Sequence, residues 1–158
     1  MAGPPVTVVG ITGHRHLDDE EGMRAAIASR LADLEPPIVG VSALAEGADQ
    51  LFARAVLSAG GELEVVIPGQ NYRASLPMPA RDEFDRLVEA ASRVTTVDDD
   101  TVDGFAYLGA GVAMLDRCEV LFAVWDGGAS RGTGGTADMV RRARERGLPV
   151  VVIDANRA

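Results

Sequence analysis

The sequence contains no lysine, so all 15 of its Lys-or-Arg side chains are arginines. A P-loop needs a lysine at the entry to its helix to reach the terminal phosphates, and Walker-type nucleotide hydrolysis is thereby excluded. Cysteine is nearly absent too. Cys118 is alone, which rules out an intrachain disulfide, fits a reducing cytoplasm and leaves the thiol as a small buried hydrophobe. No apolar run approaches membrane length, and the amino terminus lacks the charged segment and apolar core of a secretion signal, so no membrane partner is expected. Histidine is limited to His14 and His16, which have no third ligand nearby, and no metal site is expected. Basic charge is in deficit, with 15 basic against 24 acidic side chains and a formal charge of −9. Neutralising a phosphate backbone takes a basic face, and these arginines are scattered, so the balance argues against a nucleic-acid partner.

Apolar residues are plentiful at 47%, enough for one core, and no linker, repeat or low-complexity tract divides the chain. A single domain over 1–158 is expected. Short β-rich apolar runs at Val6 to Ile11, Ile38 to Val41, Leu63 to Ile67, Val94 to Val97, Val120 to Trp125 and Val150 to Ile153 read as strands. Between them the spacing turns helical: Met23, Ile27, Leu31 and Leu34 share a face, as do Phe84, Leu87, Val88 and Ala91. Asp18 or Asp19 caps the first helix, and Pro36 and Pro37 stop it. About six alternations with short connections predict a doubly wound α/β fold, a three-layer sandwich with a mainly parallel sheet of about six strands covered on both faces. For the first and fifth strand ends to share a ligand they must be neighbours where the winding reverses, which gives the order 4-3-2-1-5-6.

The fifth strand feeds the most distinctive stretch, DGGASRGTGG from Asp126 to Gly135. Its glycines give up side-chain volume and gain positive φ, so backbone N–H groups can turn toward a ligand. Thr136 then opens a helix whose free N–H groups and dipole favour an anion. Asp126, Gly127, Gly132, Thr133, Gly134, Gly135 and Thr136 thus read as a phosphate or carboxylate cradle, although their spacing does not fit G-x-G-x-x-G. After the first strand, Gly13 permits close approach and Arg15 forks onto an anion, with His14 a structural residue or a ligand hydrogen-bonder. After the second strand, Ser42, Glu46 and Asp49 reach ribose hydroxyls or cap the next helix. Tyr72 reads as packing, with stacking on a base as the alternative. The acidic run Asp98 to Gly104 departs from the EF-hand pattern and reads as a solvated loop.

Taken together, Ile11-Thr12-Gly13-His14-Arg15, Ser42-Ala43-Leu44-Ala45-Glu46-Gly47-Ala48-Asp49, Pro68, Asp126-Gly127 and Gly132-Thr133-Gly134-Gly135-Thr136-Ala137-Asp138 resemble the SLOG superfamily of Rossmann-like domains. That group joins Smf-like DNA-processing proteins, YpsA-like proteins and the Lonely-guy phosphoribohydrolases. The resemblance spans nearly the whole chain. It implies binding or sensing of a nucleotide or nucleotide-derived ligand at the carboxyl edge of the sheet, through Gly13, His14, Arg15, Ser42, Glu46, Gly47, Asp49, Pro68, Asp126, Gly127 and Gly132 to Thr136. No cofactor is required, and a homodimer or other homo-oligomer is expected, as in relatives of this architecture. Lonely-guy-like enzymes carry P-G-G-x-G-T-x-x-E. Here Met139 falls at the glutamate position, Asp138 lies one residue earlier, about 100° round the helix, and Ser130-Arg131-Gly132-Thr133 replaces the proline and first glycines. Ligand binding therefore ranks ahead of a phosphoribohydrolase-type enzyme cleaving the N-glycosidic bond of nucleoside monophosphates. In that alternative Asp138 and Glu46 are the candidate catalytic carboxylates.

Overall fold

The structure is a computed structural model that describes residues 5–97, 104–128 and 135–155. In chain order the elements are β1 (Thr7–Gly13), α1 (Glu20–Ala32), β2 (Ile38–Ser42), α2 (Ala48–Ser58), β3 (Glu62–Ile67), α3 (Tyr72–Ser75), α4 (Met78–Ala90), β4 (Arg93–Thr96), α5 (Gly104–Arg117), β5 (Val120–Trp125), α6 (Thr136–Glu145) and β6 (Val150–Asp154). One sheet holds six strands in the order β4-β3-β2-β1-β5-β6, and every pairing is parallel. This is the expected doubly wound, Rossmann-like three-layer fold, with the expected strand order. Two local features differ from the sequence reading. β1 runs on through Thr12 and Gly13, and α3, a single turn, is too short to show an apolar period.

The alternation of side chains along each strand sorts the helices onto the two faces. Val9 and Ile11 of β1 and Phe122 and Val124 of β5 pack with Met23 and Ile27 of α1 and Leu51 and Phe52 of α2. Their neighbours Val8 and Leu121 face the other way, onto Ala110 and Met114 of α5 and Met139 and Ala143 of α6. Glycine makes both contacts tight. A Cβ on Gly40 would come 2.6 Å from Val56, so β2 lets α2 approach closely, and Phe52 meets Phe122 edge-on at 6.1 Å. On the far side a Cβ on Gly111 would lie 2.7 Å from Met139, which brings α5 against α6. Cys118 is buried in this layer, and burial pushes its thiol up, as befits an inert hydrophobe.

Helix ends follow their local chemistry. The Asp19 side chain caps α1 by accepting from Gly22 N at 2.9 Å, and Gly60 and Gly147 take positive φ just past α2 and α6. The predicted cover on both faces stops short at one edge, because every residue of β4 is exposed. Among the described residues, no helix is long and apolar enough to cross a membrane. With α1, α2 and α4 on one face and α5 and α6 on the other, the winding reverses between β1 and β5. Their carboxyl ends therefore open side by side, with Gly13 in register with Val124.

Candidate functional site

Three turns meet at this reversal because glycine lets them touch. At Gly47, which caps α2 with φ of 82°, a Cβ would come 2.4 Å from the Arg15 carbonyl oxygen and 2.6 Å from that of His14. The β2–α2 turn is thereby pressed onto the end of β1, and Ala48 N donates to His14 O at 3.1 Å. Gly13 is as confined, since a Cβ there would meet Ala48 at 2.5 Å and Val124 at 2.9 Å. The close approach expected at Gly13 is thus used to fit turn against turn, and Gly47 does the same from the other side. On the other flank His14 N donates to Val124 O, and Asp126 N donates to the His14 ring Nε2 at 3.1 Å.

The described start of the glycine-rich segment is built as a turn. Gly128 N donates to Asp126 Oδ1 at 2.8 Å, and Trp125 Nε1 donates to Gly128 O at 2.9 Å. The Gly128 N–H and then the nearby His14 hold the Asp126 carboxyl below the usual range. Gly127 has φ of 85°, and among the described residues nothing lies within 4 Å of its Cβ position. Gly132, Thr133 and Gly134 lie outside the described residues, as does the acidic run 98–103. Gly135 caps α6 without a side-chain bond, and Thr136 is buried in its first turn.

The β2–α2 turn spends its polar groups internally. Ser42 Oγ accepts from Leu44 N at 3.0 Å and donates to Asp49 O at 3.2 Å, and Asp49 Oδ2 accepts from Ala45 N at 3.3 Å. Gln50 Nε2 donates to Leu44 O and Ala80 O, fixing Leu44 at φ of 59°. Ser42 and Asp49, expected to meet ribose or cap a helix, are instead buried stitches of the turn. Burial pushes the Asp49 carboxyl up to about 7, against a small lowering by the Ala45 N–H and by Arg15. Pro68, where β3 ends, is buried as well.

What this edge presents outward is a different group. Arg15 is half-exposed, at 47% of its side chain, and its Nη1 stands 3.8 Å from Glu46 Oε1, a loose pair. The guanidinium carbon lies over the Tyr107 ring at 5.4 Å from the centroid. Tyr107, from α5, meets Tyr72 edge-on at 5.7 Å, and Tyr72 in turn meets Phe84 at 6.1 Å. Tyr72 is buried, and burial first, then the Asp49 charge, pushes its phenol well up. Sequence reading missed Tyr107, which sits in a helix otherwise notable for small residues. Its only prior signal was scarcity, as the chain has two tyrosines.

The candidate carboxylates have separate surroundings. Glu46 faces Arg15 at the edge, whereas Asp138 on α6 accepts from Arg141 Nη2 and, at 3.2 Å, from Arg142 Nε on its own helix. Among the described residues no three metal-binding side chains converge.

No family model matches the chain, and no curated protein matches it in sequence. Solved structures do match in shape. DNA processing protein A of Streptococcus pneumoniae superposes with a TM-score of 0.67 at 19% identity, over 93% of this chain and 50% of that one. The Helicobacter pylori DNA processing protein A, solved for its single-stranded DNA binding mode, gives 0.69 at 16% identity over 96% and 68%. TM1055, a structural-genomics target, gives 0.59 at 16% identity over 92% and 72%. The chain spans half the length of the pneumococcal protein. These likenesses correct the argument from net charge against a nucleic-acid partner, because this chain shares its fold with a protein that binds single-stranded DNA. Net charge sums the whole surface, whereas a ligand responds to the local field at one edge. At these identities the shared feature is the fold, a doubly wound Rossmann-like domain.

Proposed function

We propose that the carboxyl edge at the β1/β5 reversal binds a nucleotide or nucleotide-derived ligand, free or as part of a single strand, and senses or holds it without turnover. The observation that carries this reading is Arg15, a half-exposed guanidinium at the mouth of the reversal that rests against Tyr107 and has in Glu46 a loose carboxylate partner at 3.8 Å. A planar cation of this kind exchanges a distant carboxylate for a phosphate at small cost and can do so bidentately. Two features add support. The amino end of α6, opening at Thr136 beside β5, favours an anion. The β1 and β5 turns are tied together by the Asp126–His14 hydrogen bond, so the edge is already formed before a ligand arrives.

The engagement of Asp138 with Arg141 and Arg142 favours binding over cleavage of an N-glycosidic bond. Such cleavage needs a carboxylate close to the developing charge on the ribose. The single-stranded DNA bound by the Helicobacter protein brings the same phosphates and bases into the ligand class here. Thermal-shift titration tests the reading, since a ligand that binds the native state raises its apparent stability. Nucleoside monophosphates are expected to raise the midpoint and the parent nucleosides to raise it much less. Equal shifts for both would remove the phosphate from the argument.

A further inference from the structure

Both of the chain's two tyrosines stand together at this edge, and their arrangement has a direction. From the core outward it runs Phe84 to Tyr72 to Tyr107, each pair edge-on at 6.1 and 5.7 Å, and it ends in the Arg15 guanidinium above the Tyr107 ring. The inner members are fixed by packing: Tyr72 is 1% exposed and Phe84 6%. Tyr107 is held a second way, with its hydroxyl 3.5 Å from Ser75 Oγ. Tyr107 is half-buried, and Arg15 at the end of the series faces solvent. An aromatic column that locks its buried end and tips its open end with a flat cation is a surface for stacking, because a guanidinium plane accepts a π-face on either side.

We infer that Arg15, backed by Tyr107, is the nucleobase platform of the site, so that the ligand carries a base stacked on the guanidinium and is not a bare sugar phosphate or inorganic anion. The inference rests on the nucleotide reading and adds to it a second contact of Arg15, whose N–H edge meets the phosphate while its face meets the base. Arg15 is suited to the task because a guanidinium is planar and this one is backed by Tyr107, with Glu46 only a loose partner. Glu46 approaches at 3.8 Å, which orients the guanidinium without a tight bidentate grip. Stacking of this kind tolerates any base, since every base has a π-face.

The experiment compares adenosine monophosphate with ribose 5-phosphate by calorimetric titration, in the unmodified protein and in Arg15→Lys, Tyr107→Leu and Tyr107→Phe. The unmodified protein is expected to prefer the base-bearing ligand by about tenfold. Arg15→Lys keeps the charge and loses the plane, so the preference should fall toward unity while ribose 5-phosphate still binds. Tyr107→Leu should do the same, and Tyr107→Phe should retain the preference. Arg15 is half-exposed, so the lysine variant decides the matter even if Tyr107→Leu fails to fold. Equal affinities in the unmodified protein, or a preference untouched by Arg15→Lys, overturn the platform while the phosphate site stands. Absence of binding by both compounds removes the nucleotide reading and the platform with it.

Discussion

The imidazole of His14 accepts the backbone N–H of Asp126 at 3.1 Å, across the line where the sheet reverses its winding. The Asp126 carboxylate also lies 3.4 Å from the same nitrogen. Position 14 thus ties the turn carrying Arg15 to the turn that begins the glycine-rich segment. His14→Ala is expected to destabilise the fold by only about 1 kcal/mol, yet to weaken nucleotide binding about fivefold or more by loosening that tie. His14→Gln, which offers an amide oxygen to Asp126 N, should recover part of the loss. Melting curves and titrations on the same samples separate the two effects, and a purely structural histidine would move only the first.

Gly47 and Gly127 share nearly the same φ, 82° and 85°, in opposite surroundings. A Cβ at 47 would strike two carbonyl oxygens, while one at 127 would meet none of the described residues within 4 Å. Gly127→Ala should therefore cost only the left-handed penalty of about 1–2 kcal/mol. Gly47→Ala adds a steric clash and should lose roughly 3 kcal/mol or more. Urea unfolding of the two variants gives the comparison; equal losses would mean that the turns do not press together as described.

Asp49 makes stability depend on pH in an uncommon direction. Folded, it keeps its proton up to about 7, while the unfolded chain releases it near the ordinary 3.8. The folded state binds more protons between those values, so this contribution is whole below about pH 4, declines as pH rises and is gone above about pH 7. Asp49→Asn retains an acceptor for Ala45 N and removes the titration. Relative to the parent, the variant should gain stability steadily between about pH 4 and pH 7 and be the more stable at higher pH, on the order of a few kcal/mol. A difference that does not change with pH would mean that Asp49 does not titrate in this range.

Asp138→Asn separates sensing from hydrolysis. The substitution removes the charge that Arg141 and Arg142 engage on the same helix, pairs of i,i+3 and i,i+4 spacing that each contribute about 0.3–0.5 kcal/mol on a helix. Nucleotide affinity should change by less than about twofold. Chromatography should detect no base released from nucleoside monophosphates by either protein. Release by the unmodified protein that disappears in the variant would make this a phosphoribohydrolase.

The scaffold was legible because its signals are local. Val120 to Trp125 announces a buried strand by itself, and the strand order followed once two turns were required to share a ligand. The edge was less legible because its meaning lies between segments. Gly13 and Gly47 look alike in sequence whether they admit a ligand or each other's turn, and the cases are distinguished only by the space at each Cβ position, where a methyl at 47 would strike Arg15 O and one at 13 would strike Ala48. Ser42 and Asp49 carry the right groups for ribose, yet their hydrogen bonds close within eight residues of chain. Tyr107 became a candidate only when α5 crossed the sheet and set it beside Arg15. Periodicity cannot show such a meeting.

The strands that frame the edge are neighbours in space and strangers in sequence: the bond from Asp126 to His14 spans 112 positions. Closing so long a loop is entropically costly, and pairings of this kind form late. The β1 to β4 portion can assemble through short local crossovers, but it contains only half of the binding edge. Arg15 reaches its Tyr107 backing, and His14 its Asp126, only after the chain has travelled back across the sheet. In the nucleotide-binding reading, affinity therefore waits on that long-range closure, and a bound nucleotide would act as a clamp on the finished fold.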